Sequence, residues 1–284
     1  MNFMPSIKTL ITETLREDIG SGDITTKILI NHDTQATGEL ISKEEGILCG
    51  IEICKEVFFT IDQSLVIINH KKDGEKIKLG DLLAEIKGSA ASILMAERVA
   101  LNFLQHLSGI ATITSEYVNA IQGLPVKIVD TRKTIPGLRE LAKYAVKTGG
   151  GNNHRYGLSD GILIKDNHIE SFKIQGMSIS EAIHLVKINA PHTLKLEIEV
   201  KNIEEAIEAF EAGAEMILLD NMTIEDMSKV VSMNNGRAIL EASGRININS
   251  IHSIAKCGVD IISIGALTHS SKSLDISLNF KPNN

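Results

Sequence analysis

The chain has 284 residues, 43% of them hydrophobic, and a formal net charge of −7, so it can build one large domain or two smaller ones. The acidic balance argues against a general nucleic-acid-binding protein, because such proteins need a broad basic face. No stretch has the length and apolarity of a membrane span, and residues 1–18 lack the continuous apolar core of a secretory signal. We therefore expect neither nucleic acid nor a membrane as a partner.

The three cysteines, Cys49, Cys54 and Cys257, are an odd number and lack the paired spacing of a zinc site. This pattern is typical of buried thiols in a reducing compartment. It predicts a cytoplasmic protein.

The N-terminal part begins with a pattern of apolar residues that predicts a short helix over 6–18. Residues 20–26 are typical of a turn, in which we expect Asp23 to hydrogen-bond nearby backbone rather than to act in catalysis. Residues 35–86 resemble a series of strands separated by Gly and charged turns. Within them, residues 71–88 resemble the barrel-sandwich architecture of lipoyl and biotinyl domains, without the exposed hairpin lysine that those domains modify.

A long helix is predicted over 90–122, where apolar residues recur at helical spacing. Arg98 lies near its start, beside Glu97, and an arginine at such a position commonly pairs with a neighbouring acid. Residues 1–124 therefore form an N-terminal α+β, sandwich-like domain that ends in a long connecting helix. Residues 125–284 form a second domain, and the last of them could return to the first.

The second domain alternates short apolar runs with helical patterns, which is typical of an α/β fold with a parallel sheet. Six strands are predicted, over 127–129, 162–164, 194–198, 216–219, 238–240 and 261–264. Helices are predicted over 137–147, 178–189, 203–212, 224–233 and 250–257. Ser178 with Glu181, and Asn202 with Glu205, have the spacing of N-cap and N3 residues. Because a closed barrel of this kind has eight strands, six strands predict an incomplete α/β barrel that is open on one side.

Polar residues follow each of the six strands. The strands end at Asp130 with Arg132 and Lys133, at Lys165-Asp166, at Glu199, at Asp220-Asn221, at Glu241 with Ser243-Gly244, and at Gly265-Ala266. Active sites of α/β barrels lie at the carboxyl ends of the strands. The sequence therefore predicts one catalytic ring.

A basic stretch, residues 130–155, contains six Lys or Arg against two acids in an otherwise acidic chain, which indicates an anionic ligand. Arg132 and Arg155 can each bind a carboxylate or phosphate through two parallel hydrogen bonds, and Lys133 and His154 flank the same turn-rich segments. Three glycines, 149–151, would let backbone N–H groups approach the ligand. In contrast, we interpret the Lys and Arg at 139, 143 and 147 as one solvated helix face, because they are spaced by four.

The last two strand ends are where barrels of this type bind a terminal phosphate. Glu199 and Asp220 lie between these ends and the basic stretch. Their carboxylates could hold Mg²⁺, ribose hydroxyls or a developing positive charge. A phosphorylated sugar that meets a polyacid fits this arrangement.

Several motifs resemble the quinolinate phosphoribosyltransferase family, the carboxylating nicotinate-nucleotide pyrophosphorylases. They are Glu97-Arg98-Val99-Ala100-Leu101-Asn102, Ser108-Gly109-Ile110-Ala111-Thr112, Asp130-Thr131-Arg132-Lys133-Thr134, Gly150-Gly151-Asn152-Asn153-His154-Arg155, Lys165-Asp166-Asn167-His168 and Leu219-Asp220-Asn221. The resemblance runs from about Glu17 to Leu278. It implies the incomplete barrel of type II phosphoribosyltransferases.

The resemblance also implies a reaction. Quinolinate attacks the anomeric carbon of phosphoribosyl pyrophosphate through its ring nitrogen, pyrophosphate leaves with Mg²⁺, and the 2-carboxylate is lost as CO₂. The product, nicotinate mononucleotide, is an intermediate of NAD biosynthesis.

By the same resemblance, a small set of residues carries the reaction. The catalytic residues are Lys165, Glu199 and Asp220, with Glu199 and Asp220 also as ligands of Mg²⁺ or the ribose. The residues that bind the two substrates are Arg98, Thr131, Arg132, Lys133, His154, Arg155, Lys165, Glu199, Asp220, Ser243, Gly244, Arg245, Ile264, Gly265 and Ala266. Arg245 stands where we expect variation in the family.

The resemblance further implies a homodimer with shared active sites, because the family residue that matches Arg98 reaches into the neighbouring subunit. Dimers could also assemble into a hexamer. An ion pair of Arg98 within its own chain is the alternative.

Two other functions fit the same residues. A sister transferase of the same fold, such as the molybdenum-associated paralogue, would use a different acceptor and would lack one carboxylate-binding arginine. A Schiff-base lyase would use Lys165 as its nucleophile at a strand end, although several arginines in the site favour anion binding.

Overall fold

A computed structural model of the chain describes residues 5–281. Two compact units are present. The first contains the described residues up to 115, residues 136–150 and the described residues from 270 onward, and the second contains residues 116–135 and 151–269. Among residues 5–281, no helix combines the length and the hydropathy that a membrane crossing requires.

The helices and strands are numbered in chain order. The helices are α1 (Pro5–Ile19), α2 (Ile24–Leu29), α3 (Ile51–Ile61), α4 (Ala90–Ala120), α5 (Arg139–Thr148), α6 (Asp166–Ile174), α7 (Ile179–Asn189), α8 (Ile203–Glu211), α9 (Ile224–Asn234), α10 (Ile251–Lys256) and α11 (Ala266–His269). The strands are β1 (Gln35–Ser42), β2 (Gly46–Ile47), β3 (Val66–Asn69), β4 (Lys76–Ile77), β5 (Leu82–Ser89), β6 (Lys127–Val129), β7 (Ile162–Ile164), β8 (Leu196–Val200), β9 (Met216–Asp220), β10 (Ile239–Ser243), β11 (Ile261–Ser263) and β12 (Ile276–Lys281).

The first unit contains a four-stranded antiparallel sheet in the order β12-β1-β5-β3, and a separate pair, β2-β4. The last strand pairs with the first along its length, with Leu40 opposite Leu278. Helix α5 belongs to the same unit, and its Tyr144 hydroxyl donates a 2.6 Å hydrogen bond to Asp73. The sequence predicted a boundary after residue 124 and allowed the last residues to return to the first domain. In the structure β12 belongs to the first unit, and so does α5, which the sequence assigned to the second domain. The predicted α+β, sandwich-like domain is confirmed as a fold.

Two helices of this unit were not predicted. Residues 24–29 form α2, and Asp23 caps it by accepting a 2.9 Å hydrogen bond from the Thr26 N–H, so the local role expected of Asp23 is confirmed. Residues 51–61 form α3 instead of the predicted strand. Its buried side chains Ile51, Cys54 and Phe58 lie on one face, which is the periodicity of a helix.

The cysteine prediction is confirmed in part. All three thiols are free, with Cys49 and Cys54 buried, but Cys257 is only half-buried. Burial raises the pKa of the Cys54 thiol to about 12.

The second unit contains one sheet of six parallel strands in the order β6-β11-β10-β9-β8-β7. The two edge strands, β6 and β7, do not pair with each other within the described part of the chain. Strand β6 instead makes an isolated bridge, Val129 with Asn152. The predicted incomplete barrel is therefore confirmed.

The helices of this unit carry the predicted N-terminal caps. The Ser178 hydroxyl accepts a 3.1 Å hydrogen bond from the Glu181 N–H, and the Asn202 side chain accepts a 2.8 Å bond from the Glu205 N–H. Helix α6 was not predicted. It begins directly after β7 and has Lys165 at the cap position, so it lacks the Ser, Thr, Asp or Asn that marks a helix start.

Side chains alternate between the two faces of the strands. In β8, Leu196, Ile198 and Val200 are buried. Glu197 and Glu199 take the opposite face, towards the barrel interior. The sequence placed this strand two residues too early, at 194–198, so that Glu199 appeared to follow the strand rather than to lie within it.

Candidate active site

A cavity of about 300 Å³ opens at the carboxyl ends of the six strands, within the second unit. We call it the strand-end cavity. Its lining contains nine of the predicted site residues: Thr131, Arg132, Lys133, His154, Arg155, Lys165, Glu199, Asp220 and Ser243. It also contains Leu163, Leu218, Asn221, Glu241 and Ser263. Nine of the fifteen predicted site residues thus line one cavity.

Six predicted residues are outside this lining: Arg98, Gly244, Arg245, Ile264, Gly265 and Ala266. Arg98 lies on α4 in the first unit, where its side chain is exposed. The other five come next in the chain after two lining residues, Ser243 at the end of β10 and Ser263 at the end of β11. Arg245 is exposed and has a positive φ of 43°.

The segment after β6 is anchored by Asp130, which is completely buried. Its carboxylate accepts a 2.9 Å hydrogen bond from the His154 N–H, and its own N–H donates to the Asn152 carbonyl. Asp130 therefore fastens the Arg132 segment to the His154 segment. This role is structural and explains why an acid lies within the basic stretch.

Arg132 and Arg155 form the basic wall of the cavity. The Arg155 Nη1 donates a 2.9 Å hydrogen bond to the Gly161 carbonyl, which holds the guanidinium in place. Burial lowers the pKa of Arg155, and the charge of Arg132 lowers it further, although Glu197 and Asp160 act in the opposite direction. The two guanidiniums are therefore close enough to repel each other, and an anion bound between them would relieve that repulsion.

The same cavity is also lined by two carboxylates, those of Glu199 and Asp220. Burial raises the pKa of Glu199, and the nearby charge of Asp220 raises it further. The Lys165 ammonium lies 4.0 Å from Glu199 and lowers that pKa. Two neighbouring carboxylates supply the hard oxygen ligands that Mg²⁺ prefers, so these residues fit the ion.

Asn221 was part of a predicted motif, but we assigned it no role of its own. Its backbone has a φ of 53°, its amide donates a 2.9 Å hydrogen bond to the Asp220 carboxylate, and its N–H donates to the Ser243 carbonyl. A Cβ on Gly244, whose φ is 96°, would lie 2.4 Å from the Asn221 Oδ1. Asn221 therefore joins the end of β9 to the loop after β10.

The loop after β11 lies against Lys133. The Lys133 carbonyl accepts a 2.7 Å hydrogen bond from the Thr268 hydroxyl. A Cβ on Gly265 would lie 2.9 Å from the Lys133 Cδ. The aliphatic part of the Lys133 side chain thus runs across this loop.

His154 contacts two buried glutamates inside the barrel. Its Nε2 lies 3.2 Å from the Glu197 carboxylate and 3.5 Å from that of Glu241. Its Nδ1 accepts a 2.8 Å hydrogen bond from the Arg155 N–H. Burial lowers the pKa of the ring and the two glutamates raise it against that effect, but a ring whose Nδ1 accepts this hydrogen bond is neutral, with its single proton on Nε2. Both ring nitrogens are engaged within the protein.

These three side chains offer ligand atoms within 4.8 Å of one another, a spacing that a metal ion could span. A histidine that binds a metal through Nε2 donates a hydrogen bond from Nδ1. Here Nδ1 accepts one from Arg155, which keeps the ring proton on Nε2. The arrangement therefore fits a shared proton better than a metal.

A second cavity of about 350 Å³ lies towards the amino ends of the strands and shares His154, Arg155 and Glu241 with the strand-end cavity. Glu197 lines only this second cavity. Sequence reasoning missed Glu197, although its spacing of two from Glu199 was a usable signal, because residues i and i+2 of a strand share a face.

One expectation about the basic stretch is wrong. Lys143, on α5, is only 3% exposed, so this helix face is not a fully solvated one. Of the three glycines at 149–151, Gly149 is also required by packing, because a Cβ there would lie 2.3 Å from the Ala111 carbonyl oxygen.

Two family models match the chain. The model described as quinolinate phosphoribosyl transferase, N-terminal domain, matches residues 23–108, and that of the C-terminal domain matches residues 110–279.

Individual relatives are similar over nearly the whole chain. A probable carboxylating nicotinate-nucleotide pyrophosphorylase of Bacillus subtilis (strain 168) is 44% identical, over 96% of this chain and 93% of the relative. A probable enzyme of the same name from Methanocaldococcus jannaschii is 42% identical, over 95% of both chains. The solved nicotinate-nucleotide pyrophosphorylase of Francisella tularensis superimposes with a TM-score of 0.91 at 42% identity, and the match covers 99% of this chain and 98% of the other.

Proposed function

The chain belongs to the quinolinate phosphoribosyltransferase family, and we propose that it transfers phosphoribosyl from 5-phosphoribosyl-1-pyrophosphate to quinolinate with loss of CO₂. The products are nicotinate mononucleotide, pyrophosphate and CO₂, a step of NAD biosynthesis. One observation carries the proposal. A single cavity is lined both by Arg132 and Arg155, the basic wall, and by the Glu199 and Asp220 carboxylates.

The basic wall binds the dicarboxylic acid. Arg132 and Arg155 repel each other without a ligand, so a dianion between them gains both direct contacts and relief of that repulsion. Lys165, which directly follows β7, and Thr131 add polar contacts to the acid. For His154 we propose an indirect role, since both of its ring nitrogens are engaged within the protein. It holds the Arg155 backbone in position.

The carboxylate side binds the sugar. Glu199 and Asp220 hold the ribose hydroxyls or Mg²⁺, which would neutralise charge on the pyrophosphate when it is bound. Lys133 and Lys165 are placed to bind the pyrophosphate itself. The 5-phosphate is bound by the loops after β10 and β11, through Ser243, Gly244, Arg245, Ile264, Gly265 and Ala266.

The chemistry needs no covalent intermediate with the protein. The basic wall fixes the acid so that its ring nitrogen faces the anomeric carbon of the sugar, which removes most of the entropy cost of bringing two substrates together. The Glu199 and Asp220 carboxylates stabilise the positive charge that develops at the anomeric carbon as pyrophosphate departs. Loss of CO₂ then leaves an electron pair on C2 of the ring, and a proton is taken up there.

We further propose a homodimer in which Arg98 completes the acid site of the partner subunit. Arg98 is exposed on α4. Among residues 5–281 it has neither a salt bridge nor a side-chain hydrogen bond. Burial raises the pKa of the neighbouring Glu97, and the charge of Arg98 partly offsets this effect. A two-fold dimer would use this charge. Assembly of dimers into a hexamer stays a prediction, as does the cytoplasmic location.

Complementation tests the shared site. An Arg98→Ala chain and an Arg155→Ala chain, each inactive alone, are mixed under conditions that exchange subunits. A mixed dimer has one site with both defects and one intact site, so activity should return towards half of the native value in those dimers. If mixed dimers form and remain inactive, Arg98 acts within its own chain.

The names of the relatives favour this transferase over the two alternatives. A Schiff-base lyase would be trapped on Lys165 by borohydride in the presence of substrate, and we expect no trapping. A sister transferase would accept an acid other than quinolinate.

The proposal is tested by product analysis. Purified protein is incubated with quinolinate, phosphoribosyl pyrophosphate and Mg²⁺, and nicotinate mononucleotide is measured by chromatography. We expect its formation with quinolinate and not with nicotinate, because the number of basic groups suits two carboxylates rather than one. Equal turnover of both acids contradicts the proposal.

A further inference from the structure

Glu241 has an unusual environment for an acidic side chain in an anion-binding site. It lies in β10, lines the strand-end cavity, and is 0% exposed. Among residues 5–281, no donor makes a hydrogen bond to either of its carboxylate oxygens. The nearest donor group is the His154 ring, whose Nε2 lies 3.5 Å away.

His154 cannot satisfy both glutamates. Its Nδ1 accepts the hydrogen bond from the Arg155 N–H, so Nε2 carries the ring proton. Nε2 lies closer to Glu197, at 3.2 Å, than to Glu241. One N–H directed at Glu197 leaves Glu241 without a hydrogen bond.

A buried carboxylate in this condition is costly, because burial removes its hydration and no donors replace it. Groups of this kind in native proteins commonly have a functional explanation. The cost is harder to understand in a cavity that binds two anions, since a negative charge there opposes both. The negative charge of Glu241 becomes useful only if a positive charge appears in the cavity.

The proposed reaction creates such a charge. The lone pair of the pyridine nitrogen forms a bond to the anomeric carbon, and the bond from that carbon to pyrophosphate breaks, with its electron pair leaving on the pyrophosphate oxygen. The ring nitrogen changes from neutral to cationic. When the bond between C2 and the carboxylate breaks, CO₂ leaves, the electron pair stays on C2 beside that cation, and a proton from water completes the product.

We propose that Glu241 is a catalytic residue whose carboxylate faces the pyridine ring and stabilises the positive charge that develops on the ring nitrogen. This inference rests on the proposed function. The carboxylate is already desolvated and oriented before the reaction, so it requires no reorganisation when the charge forms. Glu197, in contrast, is a positioning residue, because it acts through the His154 ring on Arg155.

Charge on the ring distinguishes the substrate from the product, and the test uses this difference. Quinolinate has a neutral ring nitrogen, whereas nicotinate mononucleotide has a cationic one. Both dissociation constants are measured by calorimetry on the intact native protein and on Glu241→Gln, which keeps the shape and removes the charge. We expect quinolinate to bind equally or more tightly to the variant, and nicotinate mononucleotide to bind at least about tenfold more weakly.

Rates provide a second readout. In Glu241→Gln, kcat should fall by about 10- to 1,000-fold, as for the loss of one preorganised electrostatic group, while KM for quinolinate does not rise. Glu197→Gln is the matched control, since it removes a charge from the same cluster but not from the strand-end cavity. Because it acts through Arg155, it should weaken the binding of quinolinate and of nicotinate mononucleotide by similar factors.

The inference is wrong if Glu241→Gln changes both affinities by the same factor, or leaves that of nicotinate mononucleotide unchanged. Native protein that makes no nicotinate mononucleotide refutes the proposed function instead, so the two failures are distinguishable. Removal of a buried charge should leave the melting temperature equal or higher. If Glu241→Gln does not fold, Glu241→Met, which is similar in volume and apolar, is used for the same two titrations.

Discussion

Arg132→Ala tests the basic wall, because it removes one of two neighbouring guanidiniums. Arg132 lines the strand-end cavity, and its charge lowers the pKa of Arg155 after the larger effect of burial. The substitution therefore has two effects of opposite sign. It removes a charged contact to the acid, and it relieves repulsion in the protein without substrate.

The loss of the contact should dominate the kinetics. Truncation of one partner of a desolvated charge pair costs about 2–5 kcal/mol. At about 1.36 kcal/mol for each factor of ten, this corresponds to a fall in kcat/KM for quinolinate of roughly 30- to 5,000-fold. The relief of repulsion should appear separately, as an unchanged or slightly higher melting temperature.

Initial rates at varied quinolinate, together with thermal melting, measure both effects. Lys229→Ala is the control, since it breaks an exposed ion pair with Asp226 on α9, at 3.1 Å. Such pairs contribute about 0–1 kcal/mol to stability, and the rate should be unchanged. A near-normal rate for Arg132→Ala, or a fall in its melting temperature with loss of structure by circular dichroism, would refute the reasoning.

Three further substitutions test the residues assigned to the phosphorylated sugar. Glu199→Ala and Asp220→Ala should each weaken phosphoribosyl pyrophosphate binding more than quinolinate binding in calorimetric titrations, and loss of quinolinate affinity alone would mean that the two substrates are assigned to the wrong sides. Gly244→Ala should raise KM for phosphoribosyl pyrophosphate and destabilise the fold by about 1–3 kcal/mol, because the residue has a φ of 96° and its Cβ would overlap the Asn221 side chain. An unchanged melting temperature and unchanged kinetics would show that this loop rearranges freely.

Sequence patterns predicted the barrel well because its strands and helices alternate regularly. The strands are short apolar runs, and the helices begin at caps such as Ser178 and Asn202, whose hydrogen bonds are formed as expected. The six strand ends were sufficient to predict which side chains meet in one cavity. This follows from a general property of parallel sheets, whose carboxyl ends share one edge.

Other elements could not be read in this way. Helix α3 is rich in Ile, Val and Phe, which favour strands, and its helical form depends on burial of one face. Helix α2 is only six residues long. Lys143 was placed in solvent because its spacing matched a charged helix face, but α5 buries it. For α3 and Lys143, packing within the first unit rather than local sequence decides the outcome, whereas α2 is stabilised locally by the Asp23 cap.

The site was predicted less completely where its residues lie inside strands rather than after them. Glu197 and Glu241 lie within strands, and both are buried. The sequence placed Glu241 directly after a strand over 238–240, whereas β10 continues to Ser243. Glu197 lay inside the predicted strand 194–198, and we missed it because Glu199 was placed after that strand rather than on the same face of it.

The most direct test of the central claim is the stoichiometry of decarboxylation. Quinolinate labelled in its 2-carboxylate is incubated with the protein, phosphoribosyl pyrophosphate and Mg²⁺, and labelled CO₂ and nicotinate mononucleotide are counted together. We predict one CO₂ for each nicotinate mononucleotide, and no release of CO₂ when phosphoribosyl pyrophosphate is left out, because the ring nitrogen must become cationic before the carboxylate can leave. Release of CO₂ without phosphoribosyl pyrophosphate, or a nucleotide product that retains the label, would contradict the account.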